Sequence, residues 1–298
     1  MKKIFVLLLF ILGLLEFSLQ SFASTFNGRG SISASTGGAG IATIEAGDST
    51  ILNPASVAHL KGYHFTSALD TWETSSAEDR MMQLSLTDNG LDSMFPASLF
   101  YIQGSHQART LSPTGEVIKG EEIFTKTFQL SLANIVYHQF SVGVSVVHNL
   151  MQYPDKLYVY NDANLGFLYN PTSNMGLGLV VYNLLGTPTS WPSEWAQKRY
   201  LSLGMNYIYE QFMRVRFDVQ TEEHFKTQNL TYMGGLESYL SSWFILRLGS
   251  QRSDSLRRNL ISGGAGFNGP RFQINYAYQM SPQDDSLGRH TVDMIIPF

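Results

Sequence analysis

The charges most able to do chemistry are Arg214, Arg216 and Asp218. They alternate with apolar residues in Met213-Arg214-Val215-Arg216-Phe217-Asp218-Val219-Gln220. A period of two belongs to a strand with two unlike faces. Guanidiniums side by side on one face can hold a carboxylate through forked hydrogen bonds. Arg247, on a later stretch of the same kind, is expected to join them. Two readings fit: an internal salt-bridge network that braces the fold, or a cationic patch that holds the carboxylate head of an amphipathic substrate.

Other candidate chemistry falls away. Gly264-Ala265-Gly266-Phe267-Asn268-Gly269 spells the dinucleotide fingerprint, but Pro270 and another strand-like stretch follow it. Without a helix N-terminus there is nothing to cradle a phosphate; the glycines read as relief of crowding near a turn. The seven histidines are scattered without metal-ligand spacing, and His64 and His290 read as interface or surface residues. His64-Phe65-Thr66 and His148-Asn149-Leu150 lack the serine of a His-x-Ser pair, and no Gly-x-Ser-x-Gly elbow occurs. We therefore expect no catalytic residue, no metal site and no cofactor.

The elements that must position the arginines are strands. Thr127-Phe128-Gln129-Leu130-Ser131-Leu132 and Phe140-Ser141-Val142-Gly143-Val144-Ser145-Val146 alternate as Met213–Gln220 does. The alternating segments are 62–72, 79–88, 97–108, 122–133, 139–150, 156–169, 175–186, 198–208, 211–222, 228–239, 242–252, 256–267, 270–280 and 288–298. A soluble sandwich also alternates. Length separates the two, because these segments have the roughly 10 residues of a tilted membrane strand. Very short connections also alternate with longer ones at 109–121, 187–197, 223–227 and 281–287, as in outer-membrane barrels. The stretch 89–96 departs by being long where a short turn is expected; it reads as a small periplasmic helix or as a break in the third strand at Pro96 and neighbouring Ala97. The expectation is an all-β, transmembrane antiparallel barrel of about fourteen strands. A mid-plane arginine facing lipid costs about 2–4 kcal/mol, so Arg214 and Arg216 should face the lumen.

Composition and termini agree. The 298-residue chain is 13% aromatic and only 15% charged, with a net charge of −4 and no cysteine. Nothing in that balance suggests nucleic acid. Met1-Lys2-Lys3, an apolar run from Ile4 to Leu15, and Ser21 and Ala23 at the −3 and −1 positions make a signal peptide, 1–23. Trp72, Trp191, Trp195 and Trp243 suit aromatic belts at the membrane interfaces. The last stretch alternates to a terminal Phe298.

Between the leader and the first strand lies Gly37-Gly38-Ala39-Gly40-Ile41-Ala42, then Gly47-Asp48-Ser49 and Asn53-Pro54-Ala55. Its small residues suit tight turns and close backbone approach. Composition alone would allow a flexible linker. The combination, ahead of a β-rich chain, resembles the N-terminal segment of FadL-like outer-membrane transporters, a family with related PorV-like barrels. The resemblance implies a hatch at 24–60 that plugs a barrel at 61–298, with Gly37, Gly38, Gly40, Asp48, Asn53, Pro54 and Ala55 as its motif. It implies passive passage of small hydrophobic molecules across a Gram-negative outer membrane, with long-chain fatty acids as one candidate. In such members a kinked third strand releases substrate sideways. Phe298 resembles the signal read by the barrel-assembly machinery. The alternatives are a secretion or surface-anchoring barrel of the PorV-like kind, or a structural barrel without transport. The implied partners are the lipid bilayer and a hydrophobic substrate.

Overall fold

The computed structural model describes residues 29–298 except 75–76, 91–92, 94, 112–116, 193–194, 211, 223–229, 255–257 and 283. The expected leader and residues 24–28 of the expected hatch lie outside the described residues. The strands are β1 (Gly62–Glu73), β2 (Ala77–Asn89), β3 (Ala97–Leu111), β4 (Val117–Tyr137), β5 (Phe140–Gln152), β6 (Leu157–Thr172) and β7 (Met175–Tyr182). They continue as β8 (Tyr200–Tyr209), β9 (Met213–Glu222), β10 (Leu230–Tyr239), β11 (Phe244–Ser253), β12 (Arg258–Asn268), β13 (Gln273–Ser281) and β14 (Asp284–Pro297). Each pairs antiparallel with its sequence neighbours, and β14 closes on β1 from Glu73↔Gly288 to His64↔Pro297. Closure leaves no edge strand in the sheet.

Burial decides between barrel and sandwich. Val144, Val146, Leu203, Phe217, Leu246, Leu248, Ile261 and Val292 are exposed, while Ser145, Ser202, Arg216, Asp218, Arg247 and Asn275 are buried. A soluble sandwich would bury the apolar set. Here the apolar face points out all round the sheet, as on a membrane-spanning barrel.

The fourteen alternating segments map one to one onto the strands. The differences lie at the ends of strands. β3 and β4 stay paired up to Leu111↔Val117, inside the expected 109–121 connection, and β14 starts at Asp284. Polar, charged residues there broke the apolar alternation without breaking the strand.

Two expectations need correction. Pro96 stands immediately before β3, and its carbonyl accepts the Ala133 N–H. There its missing N–H removes no ladder bond. β2 and β3 pair without interruption from Ala77↔Ala108 to Asp88↔Ala97, so Pro96 breaks no strand. The irregularity of β3 is instead a bulge against β4 between Gln107 and Arg109. The second correction concerns tryptophan. Trp243 is exposed, but Trp191 and Trp195 are buried with Met151 and Tyr160. Trp72 sits beneath the Arg289 guanidinium, 5.6 Å from its ring centroid. The Trp191 indole N–H donates to the Trp195 carbonyl at 3.0 Å, which lets a polar ring edge be buried.

Residues 29–60 are mostly buried and contain two short helices, α1 (Ser31–Ser35) and α2 (Asp48–Leu52), and a 3-10 turn at Pro54–His59. They pack against the inward face of the strands. Glycines in the strands make the space: a Cβ on Gly249 would lie 2.1 Å from the Gly37 nitrogen, one on Gly143 would lie 2.4 Å from the Ala55 nitrogen, and one on Gly178 would lie 2.5 Å from the Ile41 oxygen. Gly264, from the fingerprint-like run, faces Ser35 in the same way, at 2.5 Å. Its glycine therefore serves the N-terminal segment, not a turn.

Candidate functional site: the seam between the N-terminal segment and the barrel

The segment turns on Gly37 and Gly38, with φ of +69° and +90°, a region open to glycine and strained for other residues. Beyond that turn the backbone N–H groups of Gly40 and Ile41 donate to Asp218 Oδ2 at 2.7 and 2.9 Å. Asp218 is buried on β9. It thus closes a backbone corner of the segment with a charge-assisted pair of bonds.

Asn53 caps the 3-10 turn. Its Oδ1 accepts the Ala55 N–H at 3.0 Å, and its Nδ2 donates to the Ile41 carbonyl at 2.9 Å and to the Phe167 carbonyl of β6 at 3.0 Å. Pro54 follows, with its fixed φ, where no N–H is needed. His59 Nε2 meets Ser141 Oγ at 3.0 Å, and burial lowers the pKa of this imidazole. Asp48 accepts the Ser33 N–H at 2.5 Å. Burial, then the nearby Asp293 carboxylate, push the Asp48 pKa up to about 6.

The arginines come together as the alternation implies, and on the inward side. Arg216 Nε donates to Glu237 Oε1 at 3.0 Å and Arg247 Nε donates to Glu237 Oε2 at 2.7 Å. Arg216 Nη2 reaches Glu45 Oε1 at 2.5 Å, and Arg214 Nη1 also binds Glu45. Arg247 Nη1 donates to Asn275 Oδ1 at 2.9 Å. Asn275 Nδ2 donates to Asp293 Oδ1 at 2.7 Å, and Asp293 Oδ2 accepts the Ser31 N–H at 2.9 Å. One hydrogen-bonded chain therefore leaves the segment at Ser31, crosses β14, β13, β11, β10 and β9, and returns to the segment at Glu45. Asp218 stands apart from this chain and serves the Gly40 corner instead.

Glu45, Glu237, Asn275 and Asp293 were not singled out from the sequence. Glu237 carried a signal: it is a lone acid in Leu230–Tyr239 and lies directly opposite both Arg214 and Arg247 in register. A second buried pair, Arg289 with Asp70, was missed too; Nε lies 3.0 and 2.9 Å from the two carboxylate oxygens.

No protein-family model matches the chain, and no curated protein matches it. Solved structures do. The TodX ΔS2S3 mutant, described as a monoaromatic hydrocarbon channel, aligns at TM-score 0.68 and 12% identity over 95% of this chain and 100% of its own. The Pseudomonas putida toluene transporter TodX aligns at 0.67 and 13% identity over 91% of this chain and 99% of its own. A Pseudomonas aeruginosa FadL homologue aligns at 0.61 and 12% identity over 94% of this chain and 100% of its own. At such identities the likeness is one of fold: this chain has the barrel fold of TodX and the FadL homologue.

Proposed function

We propose that the protein is a Gram-negative outer-membrane channel for small hydrophobic molecules, closed by a hatch formed by residues 24–60. The outward apolar face supports the membrane location, and the shared fold with a toluene transporter supports passage of hydrophobic solutes. The observation that carries the hatch is the hydrogen-bonded chain that ties Ser31 and Glu45 to strands on one side of the barrel. Asn53, Pro54 and Ala55 fasten the segment on the other side, against β5 and β6. Gly37, Gly38 and Gly40 shape its corner, and Asp48 fixes α2 to α1 through Ser33.

Passage requires the segment to shift, so its fastenings are the gate. Arg214, Arg216 and Arg247 are assigned to this latch. All three pair with Glu237, and Arg214 and Arg216 also with Glu45, so a fatty-acid carboxylate would compete there with two acids already in place. Exposed Phe298, stacked on Tyr63 at 6.0 Å, is assigned to recognition by the assembly machinery.

The test is uptake by cells lacking their own hydrophobic channel, with labelled toluene and a labelled long-chain fatty acid supplied separately. The intact chain is compared with one in which Asn53-Pro54-Ala55 is replaced by Gly-Ser-Gly. Uptake by the intact chain that changes in the folded variant supports the reading. Absence of uptake of both solutes through a folded barrel rejects it.

A further inference from the structure

β7 stops short. It has 8 residues, and its ladder with β6 ends at Leu165↔Val181, whereas β6 stays paired with β5 as far as Leu157↔Gln152. The chain leaves the wall after Tyr182 and rejoins it at Tyr200. What lies between folds inward. Trp191 and Trp195 are buried in one cluster with Met151 of β5 and Tyr160 of β6, and Ile123 of β4 and Tyr158 of β6 pack against it. These β6 tyrosines alternate with the exposed, outward Leu157 and Val159. His106 of β3 pairs in register with Ile123, and Trp195 meets its ring edge-on at 5.6 Å. The connection therefore runs from β7 across the inner side of β6, β5 and β4 to β3. It does so at the end of the barrel opposite the Tyr137-His138 turn, the end that carries the long connections.

The middle of this connection is tied chiefly to itself. The Gln197 N–H donates to Thr187 Oγ1 at 2.8 Å, and Thr187 Oγ1 donates to the Gln197 carbonyl at 3.1 Å. That pair closes a neck. Within the loop, Trp191 N–H donates to the Pro188 carbonyl at 2.9 Å and Trp195 N–H to the Pro192 carbonyl at 3.0 Å. The Trp191 indole N–H is satisfied by the Trp195 carbonyl. A loop of this length with a closed neck and its own internal bonds is an Ω-loop, able to move as one body. Its roots are fixed to the wall: Leu185 N–H donates to Asp162 Oδ1 at 3.0 Å, and Asn183 Nδ2 to the Lys198 carbonyl at 2.8 Å. Beyond the neck, rings hold it to the wall. Trp191 meets Tyr160 at 4.5 Å and Tyr158 at 5.8 Å, both edge-on. The Tyr160 hydroxyl bonds Thr187, at the pivot. Ring contacts and apolar burial pull the loop shut without a directional bond at its far end.

We propose that the loop between Thr187 and Gln197 is an outer gate, which closes the mouth by seating Trp191 and Trp195 against β3–β6 and opens by swinging about its neck. This rests on the channel reading above and adds a second barrier in series with the hatch. The hatch is fastened by charges and backbone bonds, the outer loop by rings.

The test uses cells lacking their own hydrophobic channel, with folding checked by heat-modifiable gel mobility. His106→Cys/Trp195→Cys supplies the only thiols of the chain. They are joined by a short reducible bis-methanethiosulfonate linker. Ile123→Cys/Trp195→Cys is a second pair that spares the contact of His106 with Asp79. Uptake of whichever labelled solute the parent carries, toluene or long-chain fatty acid, is expected to stop in the linked barrels and to return on reduction. Separately, Ser145→Cys, buried on the inward face of β5, is labelled in intact cells with a membrane-impermeant thiol reagent. Adding Trp191→Ala is expected to speed that labelling by about tenfold or more. Undiminished uptake through the linked barrels, or labelling indifferent to Trp191→Ala, overturns the gate and leaves the channel. A folded parent that carries neither solute rejects the channel reading, and the labelling rates then still decide whether the loop closes the mouth.

Discussion

Asp218 on β9 accepts the backbone N–H of Gly40 at 2.7 Å, so a strand carboxylate holds the corner of the N-terminal segment. The same oxygen takes the Ile41 N–H. Asp218→Ala would leave both donors buried and unpaired, at a cost of about 1–3 kcal/mol for each. The barrel's own ladder is untouched. The expected outcome is a folded barrel whose residues 29–60 are cut by added protease much faster than in the parent chain, read by mass spectrometry. Equal protection would show that the corner holds without Asp218.

Glu237 receives Arg216 and Arg247 and lies 3.4 Å from Arg214. Removing one member of such a buried set strands the others' charge. Glu237→Ala is expected to destabilise the barrel by about 3–5 kcal/mol. Its unfolding midpoint in detergent should fall accordingly. Glu237→Gln keeps the shape but not the charge and should fall part of the way.

The pH dependence follows from Asp48. Its carboxyl titrates near 6 when docked, against an ordinary 3.8. The docked state therefore binds more protons between those values, and docking weakens as pH rises from about 4 to about 6. Protease protection of residues 29–60 should be greater at pH 4.5 than at pH 7. In Asp48→Asn, which cannot ionise, the difference should shrink. A pH profile unchanged by that substitution would remove Asp48 from the account.

Glycines of the strands give a paired comparison. A Cβ on Gly249 would meet the Gly37 nitrogen at 2.1 Å, whereas one on Gly263 has 3.7 Å to its nearest neighbour, Leu248. Gly249→Ala is expected to cost about 1–3 kcal/mol as overpacking and to loosen the segment. Gly263→Ala should be close to neutral by the same thermal and protease measurements.

The barrel was legible because lipid and lumen impose opposite chemistry on alternate residues, and that contrast survives in most strands; β7, whose inward Val180 and Tyr182 pack on the N-terminal segment, is an exception. Phe217 exposed beside Arg216 and Asp218 buried is the clearest case. Strand ends were less legible: the β3–β4 ladder runs on to Leu111↔Val117, where apolar and polar residues no longer alternate in the sequence. Arg214, Arg216 and Arg247 could be grouped from alternation, but their partners could not. Asn275 reaches Arg247 across β12, and Asp293 sits on β14, whose register against β1 is fixed only by closure. Glu45 comes from outside the sheet altogether. Arg216 and Asp218 look like natural partners on one strand face, yet each bonds elsewhere. The inward tryptophans misled because an indole satisfies a membrane belt and a lumenal cluster equally well in sequence.

The most direct test is to fasten the segment covalently. The chain has no cysteine, so Ser31→Cys with Asp293→Cys offers a single possible bridge, at residues whose side chains are now hydrogen-bonded at 2.5 Å. Uptake of the labelled solute that the parent barrel carries is measured with the bridge formed and again after reduction. The account predicts that uptake stops with the bridge formed and returns on reduction. Uptake that continues undiminished through the bridged barrel would contradict it.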